Sequence, residues 1–201
     1  MSTALKAIVF DIGNVLIHWD PRLAFSPPLT LAEADAFLSR TGFMALNLRS
    51  DAGAGFAALA TEIADPADRA LFERYAERYV DTIRAPIEGT WALMDRLRRR
   101  GHQIHAITNW SAETWPASIA IHPRLETAFG VTVISGHEGV IKPDPRIFAL
   151  LCERAGLAPA DCLFIDDSPK NVAGAQAFGM AAELFTTPPA LETALAARGL
   201  L

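Results

Sequence analysis

The sequence predicts an α/β protein built on a parallel sheet that is covered by helices, with a helical insertion after the first strand. Three observations support this fold class. Short apolar runs with strand character occur near the N-terminus and recur through the second half of the chain. From residue 88 these runs alternate with helical patterns, an alternation that is typical of parallel sheets. Between the first run and residue 84, only helical periodicity is present.

The strands are predicted from the apolar runs. The first covers residues 7–10, whose sequence AIVF has the continuous apolar character of a strand buried on both faces. Four further strands are expected at 103–107, 131–134, 162–165 and 181–185. Because parallel sheets bind ligands at the carboxyl ends of their strands, we expect a functional site at that edge.

The helices of the alternating part are bounded by capping and terminating residues. Thr90 is the predicted N-cap of a helix that runs to Arg100 and ends at Gly101. Asp144 is a second predicted N-cap, because a proline follows it at the first helical position. The helix that Asp144 caps is expected to run to Ala155, before Gly156. Three further helices are expected: one from about Ser111, one from about Lys170 to Phe178 before Gly179, and one after Pro188-Pro189.

The helical insertion follows the first strand and has apolar residues at helical spacing. It begins after Asp20-Pro21 and ends near Ala85-Pro86, where a proline forces an extended joint. We therefore expect two units. Residues 1–18 and 86–201 would form the α/β core and residues 19–85 the helical unit, with hinges at the two proline junctions.

The composition excludes several classes of protein. With 201 residues, of which 51% are hydrophobic and 20% charged, the chain can bury one good core, or a core and a small inserted unit. The net charge of −5 and the scattered basic residues are not those of a nucleic-acid-binding protein. Cys152 and Cys162 lack metal-ligand spacing, and no stretch approaches membrane-spanning length. We expect a cytoplasmic protein, monomeric or homodimeric, that binds neither nucleic acid nor a membrane.

Polar residues stand where four of the predicted strands end. Asp11 directly follows the first strand, and Thr108-Asn109 follow the second. Lys142 lies in the loop after the third, and Asp166-Asp167 close the fourth. Because these strand ends share one edge, the residues should meet there. Two adjacent carboxylates close to a third repel one another unless a cation intervenes, and Mg²⁺ prefers such oxygen ligands.

The chain contains four segments in the order FDIGNVL, ITNWS, IKPDPRIF and FIDDSPKNVAGAQAFGM, with the helical insertion after the first. They resemble the four motifs of the haloacid dehalogenase superfamily, over nearly the whole chain. The FDIGNVL form is similar to that of bacterial sugar-phosphate phosphatases of the α-glucose-1-phosphatase type. The resemblance implies a Rossmann-like parallel sheet with helices on both faces and a small helical cap over the site. It also implies a Mg²⁺-dependent phosphomonoesterase acting on a small phosphorylated metabolite, such as a sugar phosphate.

The resemblance also implies roles for individual residues. Asp11 would be the nucleophile that forms an aspartyl-phosphate, splitting one difficult substitution into two. Catalysis would further use Thr108, whose hydroxyl grips the phosphoryl group, and Lys142, which neutralises it. The implied phosphate-binding or substrate-binding residues are Asn14, Thr108, Asn109, Trp110 and Lys142. The implied Mg²⁺ ligands are Asp11, Asp167, the main-chain carbonyl of Gly13 and, directly or through water, Asp166.

The sequence departs from the family pattern at Gly13. Most phosphatases of the superfamily carry an aspartate two residues after the nucleophile, and general acid–base help of that kind contributes about 10²–10⁴-fold to the rate. Three explanations are open. The leaving group departs easily, as an anomeric hydroxyl would; or His18 or Asp20 takes over the role of the acid; or the protein has lost most of its activity.

The same residues favour or disfavour three other functions. A carbon–halogen hydrolase on this fold would also use an aspartate nucleophile, but by family resemblance it needs no metal and lacks the acidic pair Asp166-Asp167. A non-catalytic phosphometabolite-binding protein is compatible with Gly13, whereas the retained Asp11 and Lys142 favour catalysis. A nucleotide-dependent oxidoreductase is disfavoured, because no G-x-G-x-x-G motif follows the first strand.

Overall fold

A computed structural model describes residues 5–201, and in them five parallel strands form one sheet. The strands are β1 (Ala7–Phe10), β2 (Gln103–Thr108), β3 (Thr132–Ile134), β4 (Cys162–Asp166) and β5 (Ala181–Leu184). They are arranged in the order β3-β2-β1-β4-β5. Each strand coincides with a predicted apolar run to within one residue at either end.

The central strand β1 determines where the site lies. All its residues are buried, and it pairs in parallel with β2 on one side and β4 on the other. The chain order reverses direction between β1 and β4, and in open parallel sheets ligands bind outside the carboxyl ends at such a switch point. Asp11 and Asp166 stand at those two strand ends. The topology therefore places both carboxylates where a ligand is expected.

Helices cover both faces of the sheet. In addition to two short 3₁₀ helices at Pro21–Phe25 and Pro159–Asp161, the described residues form twelve α-helices. These are α1 (Leu31–Thr41), α2 (Phe43–Asp51), α3 (Phe56–Ala60), α4 (Pro66–Glu73), α5 (Tyr75–Thr82), α6 (Glu88–Arg99), α7 (Trp115–Ile121), α8 (Arg124–Thr127), α9 (Ser135–Glu138), α10 (Pro145–Ala155), α11 (Pro169–Phe178) and α12 (Pro188–Ala197).

The alternation of side chains along β1 generates two hydrophobic cores. Ile8 lies in one core with Leu97 of α6, whereas Val9 lies in the other with Ile147 and Leu151 of α10. A strand with apolar residues on both faces must be covered on both faces. The α/β fold class with a helix-covered parallel sheet is therefore confirmed.

Three helix starts differ from the predictions. Thr90 is not an N-cap: α6 begins two residues before it, at Glu88, whose carboxylate suits the positive end of the helix dipole. The helix expected from Ser111 begins at Trp115, so that Pro116, which lacks an N–H, falls in the first turn. The last helix begins at Pro188 itself, after the N-cap Thr187. The N-cap at Asp144 is confirmed, with its side chain accepting from the backbone N–H of Arg146.

The segment between β1 and α6 has a core of packed aromatic rings. The ring of Phe43 meets that of Tyr75 edge-on at 4.8 Å and that of Phe25 at 5.8 Å. Phe37, Phe56 and Phe72 extend the same cluster. Residues 21–82 contain only helices and their connections. The division into a core (1–18 and 86–201) and a helical unit (19–85) stays a prediction, and residues 1–4 of it lie outside the described residues.

The two connections between the sheet and the helical segment run side by side. The N–H of His18 donates to the carbonyl of Ala85 at 2.9 Å, and that of Asp20 donates to Thr82 at 2.9 Å. Hinges at these proline junctions stay a prediction. Within residues 5–201, no helix combines the length and the hydropathy needed to cross a bilayer.

The aromatic core gives a test of what holds the helical segment together. Phe43 is fully buried, so Phe43→Ala should lower the free energy of unfolding by about 3–5 kcal/mol through lost burial and a residual cavity. Leu31→Ala in α1 is the control, because that side chain is 45% exposed and its loss should cost roughly 0.5 kcal/mol. Urea titration measures both values. Equal losses in the two variants would contradict the aromatic core as the stabilising element.

Candidate active site

The site is built around Lys142, which lies in the loop between α9 and α10. Its side chain is 1% exposed, and its Nζ lies 2.8 Å from Oδ1 of Asp11 and 2.7 Å from Oδ2 of Asp166. The same ammonium donates to the carbonyl of Ile107 at 3.0 Å. Burial lowers the pKa of Lys142, but the two carboxylates outweigh burial and raise it. The lysine is therefore a permanent buried cation that joins the ends of β1 and β4.

Asp11 is held in one orientation by its Oδ1 atom. That oxygen accepts from the N–H of Ile12 at 2.7 Å and faces Lys142, so that Oδ2 is the oxygen left for a ligand. Burial raises the pKa of Asp11 to about 8, with Asp166 and Asp167 adding to the rise and Lys142 opposing it. A second cation close to Asp11 would therefore strongly favour its ionised form.

The acidic pair at the end of β4 divides into two kinds of carboxylate. Asp166 is completely buried, and besides Lys142 it accepts from the N–H of Ser168 at 2.8 Å and from Nδ2 of Asn171 at 3.0 Å. Asp167 is more exposed, and burial together with the charge of Asp166 raises its pKa. Carboxylate oxygens of Asp11, Asp166 and Asp167 all lie within 4.8 Å of one another.

This oxygen cluster fits a hard divalent cation. Such ions prefer carboxylate oxygens, and Mg²⁺ takes only one or two carboxylates together with waters. Asp11 and Asp167 each offer oxygen to the cavity, whereas both oxygens of Asp166 already accept hydrogen bonds. If an ion is held here, the contacts of Asp166 would favour a link through water.

Asn109 locks the two loops beside Asp11 together. Its Oδ1 accepts from the N–H of Lys142 at 2.8 Å, and its Nδ2 donates to the Lys142 carbonyl at 3.2 Å. The preceding residue, Thr108, is 1% exposed, and in the described part of the chain its Oγ1 has no hydrogen-bond partner. A buried hydroxyl without a partner costs roughly 1–3 kcal/mol, so a ligand oxygen at this point would gain a ready donor.

A cavity of about 270 Å³ opens between this edge of the sheet and the helical segment. Its walls come from both sides. The sheet side contributes Asp11, Gly13, Asn14, Asn109, Trp110, Asp167, Ser168 and Asn171, and the helical side contributes Trp19, Met44, Asn47, Leu48, Asp51 and Tyr79.

The structure brings the motif residues together as expected from the strand ends. Thr108, Lys142 and Asp166 do not line the cavity but lie buried at the same edge of the sheet. Asn14 has a positive φ of 54°, and its Oδ1 accepts from the N–H of Trp19 at 3.0 Å. Asn14 therefore connects the turn after β1 to the helical side of the cavity.

The two candidates for the missing acid lie elsewhere. His18 is exposed and does not line the cavity. The carboxylate of Asp20 lies 2.7 Å from Nη2 of Arg22 and caps the 3₁₀ helix, and these contacts lower its pKa. A carboxylate held ionised by an arginine is a poor proton donor, so neither residue is placed to act as the acid.

The sequence analysis missed the polar residues that α2 places in the cavity. Asp51 is 8% exposed, and Nδ2 of Asn47, one turn before it, donates to its Oδ2 at 3.1 Å. The sequence did contain a signal for these residues. Phe43, Leu46 and Ser50 share one face of the helix, and on that face apolar residues would be expected at positions 50 and 51, where polar ones stand.

The fold and the site together define a Rossmann-like α/β protein. At the switch point of its sheet, a buried lysine contacts two of three clustered carboxylates. The sequence profile of the haloacid dehalogenase-like hydrolases matches residues 5–179, and the chain belongs to this family. It is therefore a hydrolase by family, as the four motifs indicated.

Relatives in this family include proteins named as phosphatases. A phosphoglycolate phosphatase of Rhodospirillum rubrum is 30% identical over 190 residues, which cover 87% of this chain and 77% of the relative. The flavin mononucleotide hydrolase 1 of Arabidopsis thaliana is 32% identical over 114 residues, which cover 57% of this chain and 46% of the relative. The chain thus spans less than half the length of the latter protein.

The fold is shared with solved structures. A haloacid dehalogenase family enzyme of Bacteroides thetaiotaomicron superposes with a TM-score of 0.71 at 21% identity, covering 92% of this chain and 95% of that one. The same enzyme is known in complex with magnesium and inorganic phosphate. At this level of identity the likeness establishes the fold.

Lys142 offers a test of the buried charge network. In Lys142→Met, Asp11 and Asp166 face each other without their cation, and the free energy of unfolding in the presence of a chelator should fall by about 3–5 kcal/mol at neutral pH. Without the lysine, the pKa of Asp11 rises further above its ordinary value in the folded state. The loss should therefore shrink as the pH falls, since protonation of Asp11 removes its repulsion with Asp166.

The matched control is Lys170→Met, because Lys170 is exposed on α11 and its replacement should change the free energy of unfolding by no more than roughly 0.5 kcal/mol. Denaturant titrations at pH 5 and pH 7 compare the two variants. If Lys142→Met matches the stability of the Lys170 variant at pH 7, the lysine does not hold the two strand ends together.

Proposed function

We propose that this protein is a Mg²⁺-dependent phosphomonoesterase that hydrolyses a small phosphorylated metabolite through an aspartyl-phosphate on Asp11. One observation carries the proposal: Asp11 is buried at the cavity with one oxygen fixed by Lys142 and the other free. Relatives named for flavin mononucleotide hydrolysis and phosphoglycolate dephosphorylation support it, since both names refer to phosphorylated small molecules.

The chemistry follows from the contacts of Asp11. Its free Oδ2 attacks phosphorus, the bond from phosphorus to the ester oxygen breaks, and the phosphoryl group rests on Asp11. Water then attacks phosphorus, the bond to Asp11 breaks, and inorganic phosphate leaves. Lys142 orients the carboxylate and supplies positive charge in both steps.

The phosphoryl group has further donors within the site. The hydroxyl of Thr108 is unpartnered among the described residues, and a phosphoryl oxygen would satisfy it. Asn109 and Trp110 extend the wall of the cavity on the same side, after the end of β2. Asn14 and Lys142 complete the proposed phosphate-binding set.

Mg²⁺ would be held by Asp11, Asp167 and the Gly13 carbonyl, and by Asp166 through water. When bound, the ion neutralises the phosphoryl oxygens and polarises them toward attack. Three carboxylates cluster here and only two of them contact Lys142, which supports the proposal, because one positive charge does not balance three negative ones.

The substrate class is inferred from the cavity. Its volume of about 270 Å³ is close to the lower end of ligand pockets, roughly 300–1,000 Å³, and suits a small metabolite. Trp19, Tyr79 and Trp110 offer aromatic surfaces, while Asn47 and Asp51 offer hydrogen-bonding groups. This combination suits a sugar phosphate. Residues 19–85 would act as the cap that excludes water from the reaction.

A second candidate is a weakly active or non-catalytic protein that binds phosphorylated metabolites. Gly13 favours it, because the usual acid is missing at that position. Turnover separates the two candidates: release of phosphate from any member of a panel of sugar phosphates and other phosphorylated metabolites excludes pure binding.

The nucleophile is tested by Asp11→Asn. Phosphate release from 4-nitrophenyl phosphate should fall by at least about 10³-fold, because an amide cannot accept the phosphoryl group. Asp35→Asn is the control: Asp35 is exposed on α1, remote from the cavity lining, and this variant should keep full activity. Full activity in Asp11→Asn would refute the mechanism.

The metal is tested separately from turnover. Asp167→Asn should weaken Mg²⁺ binding, followed by isothermal titration calorimetry, by at least about tenfold, because it removes one of the proposed ligand carboxylates. Asp95→Asn serves as the matched control, since Asp95 is paired with Arg98 on the outer surface of α6. Activity that survives complete chelation, or Mg²⁺ binding that is unchanged in Asp167→Asn, would exclude the proposed ion site.

A further inference from the structure

The structure has space for a side chain at position 13, where glycine stands in place of the aspartate that most phosphatases of the superfamily carry. A Cβ atom added to Gly13 would meet nothing within 4 Å, so packing does not forbid a side chain there. His18 and Asp20, the first titratable residues after Gly13 along the chain, do not line the cavity. An alkoxide leaving group still needs a proton, which must come from another part of the site or from water.

We propose that Asp51, carried by α2 on the opposite wall of the same cavity as Asp11, is the general acid and base of the reaction. This inference rests on the proposed phosphomonoesterase function and adds to it the residue that handles the proton. Asp51 is the carboxylate that the helical side contributes to the cavity lining.

Hydrogen bonds fix the end of α2 against the sheet side of the site. Oγ of Ser50 donates to Oγ of Ser111 at 2.9 Å, in the loop that follows β2. Oγ of Ser135 donates to the main-chain carbonyl of Asp51 and accepts from the N–H of Trp110 at 2.9 Å. These hydrogen bonds therefore fix the position of Asp51 relative to the loop after β2, which is proposed to bind the phosphoryl group.

The surroundings of Asp51 suit a group that both gives and takes a proton. Burial raises its pKa to about 7, while Lys142 and the N–H of Ser111 oppose the rise. Lys142 lowers this pKa only in part, because its ammonium contacts Asp11 and Asp166 instead. Acid–base catalysis is most efficient when the pKa of the group lies near the working pH.

The side chain also has an oxygen available for a substrate. Nδ2 of Asn47 donates to Oδ2 of Asp51 at 3.1 Å and orients the carboxyl. The N–H of Ser111 also approaches this carboxyl, and the carboxyl oxygen that faces the cavity is the one assigned to carry the proton toward the leaving group. Burial, with a smaller contribution from the charge of Asp51, raises the pKa values of the Tyr75 and Tyr79 hydroxyls, so those hydroxyls stay neutral.

The proton balance is complete over two steps. As the ester P–O bond breaks, the carboxyl of Asp51 gives its proton to the departing oxygen, and an alcohol leaves. The Asp51 carboxylate then removes a proton from the water that attacks phosphorus, while the bond from phosphorus to Asp11 breaks. Asp51 ends protonated and Asp11 ends ionised, ready for another cycle.

The test is Asp51→Asn, which keeps an oxygen to accept from Asn47 but cannot transfer the proton. The two substrates are glucose 6-phosphate, whose alkoxide needs a proton, and 4-nitrophenyl phosphate, whose leaving group does not. We expect kcat/KM to fall about 10²–10⁴-fold for the sugar phosphate. For the aryl phosphate, kcat/KM should stay within about threefold, because it reports only the steps up to departure of the leaving group.

The second half-reaction gives an independent readout. With 4-nitrophenyl phosphate, Asp51→Asn should show a burst of nitrophenol followed by slow turnover. Hydrolysis of the phosphorylated Asp11 becomes the slow step, because no base removes the proton from the attacking water. The control is Asp35→Asn, with unchanged values for both substrates. Circular dichroism and melting temperature confirm that the variants fold.

Equal losses of kcat/KM for the two substrates, or no loss for the sugar phosphate, would overturn the role of Asp51 while leaving the proposed function intact. Activity that survives in Asp11→Asn would instead refute the proposed function, and the role of Asp51 with it.

Discussion

The ion contacts of one buried lysine organise this protein's site. Lys142 bridges the ends of two neighbouring strands, at 2.8 Å from Asp11 and 2.7 Å from Asp166. Removing three charges from water is costly, and only close, well-satisfied contacts offset that cost. The backbone of Lys142 is in turn locked to the side chain of Asn109. The distance between the strand ends, the orientation of Asp11 and the position of the loop before α10 therefore depend on the same contacts.

The other half of the cavity comes from the helical segment. Its aromatic core, centred on Tyr75, packs against α2, and serine hydroxyls tie the end of α2 to the loop after β2 and to the first residue of α9. In the proposed mechanism, the sheet side supplies the phosphoryl-transfer groups, and the helical side supplies walls of the cavity and a further carboxylate, Asp51. The proposed role of Asp51 would account for Gly13, since a proton donor opposite Asp11 removes the need for one beside it.

Much of this arrangement follows from the sequence, for identifiable physical reasons. Parallel strands buried on both faces read as continuous apolar runs, so their ends could be predicted, and the polar residues there had to converge. Asp51 could not be found in the same way, because its place in the cavity depends on how α2 packs across 60 or so residues of intervening chain. Closeness in sequence gave the wrong candidates in His18 and Asp20. The side chain of His18 is exposed, although its neighbour Trp19 lines the cavity, and Asp20 pairs with Arg22.

The central claim is that Asp11 carries the phosphoryl group during turnover. Rapid acid quenching of the enzyme with ³²P-labelled glucose 6-phosphate and Mg²⁺, followed by peptide mapping, tests it most directly. We expect an acyl phosphate on the peptide that contains Asp11, formed and lost at rates that match turnover. Label on a different residue, or full turnover with no labelled enzyme at any time point and no burst, would contradict it.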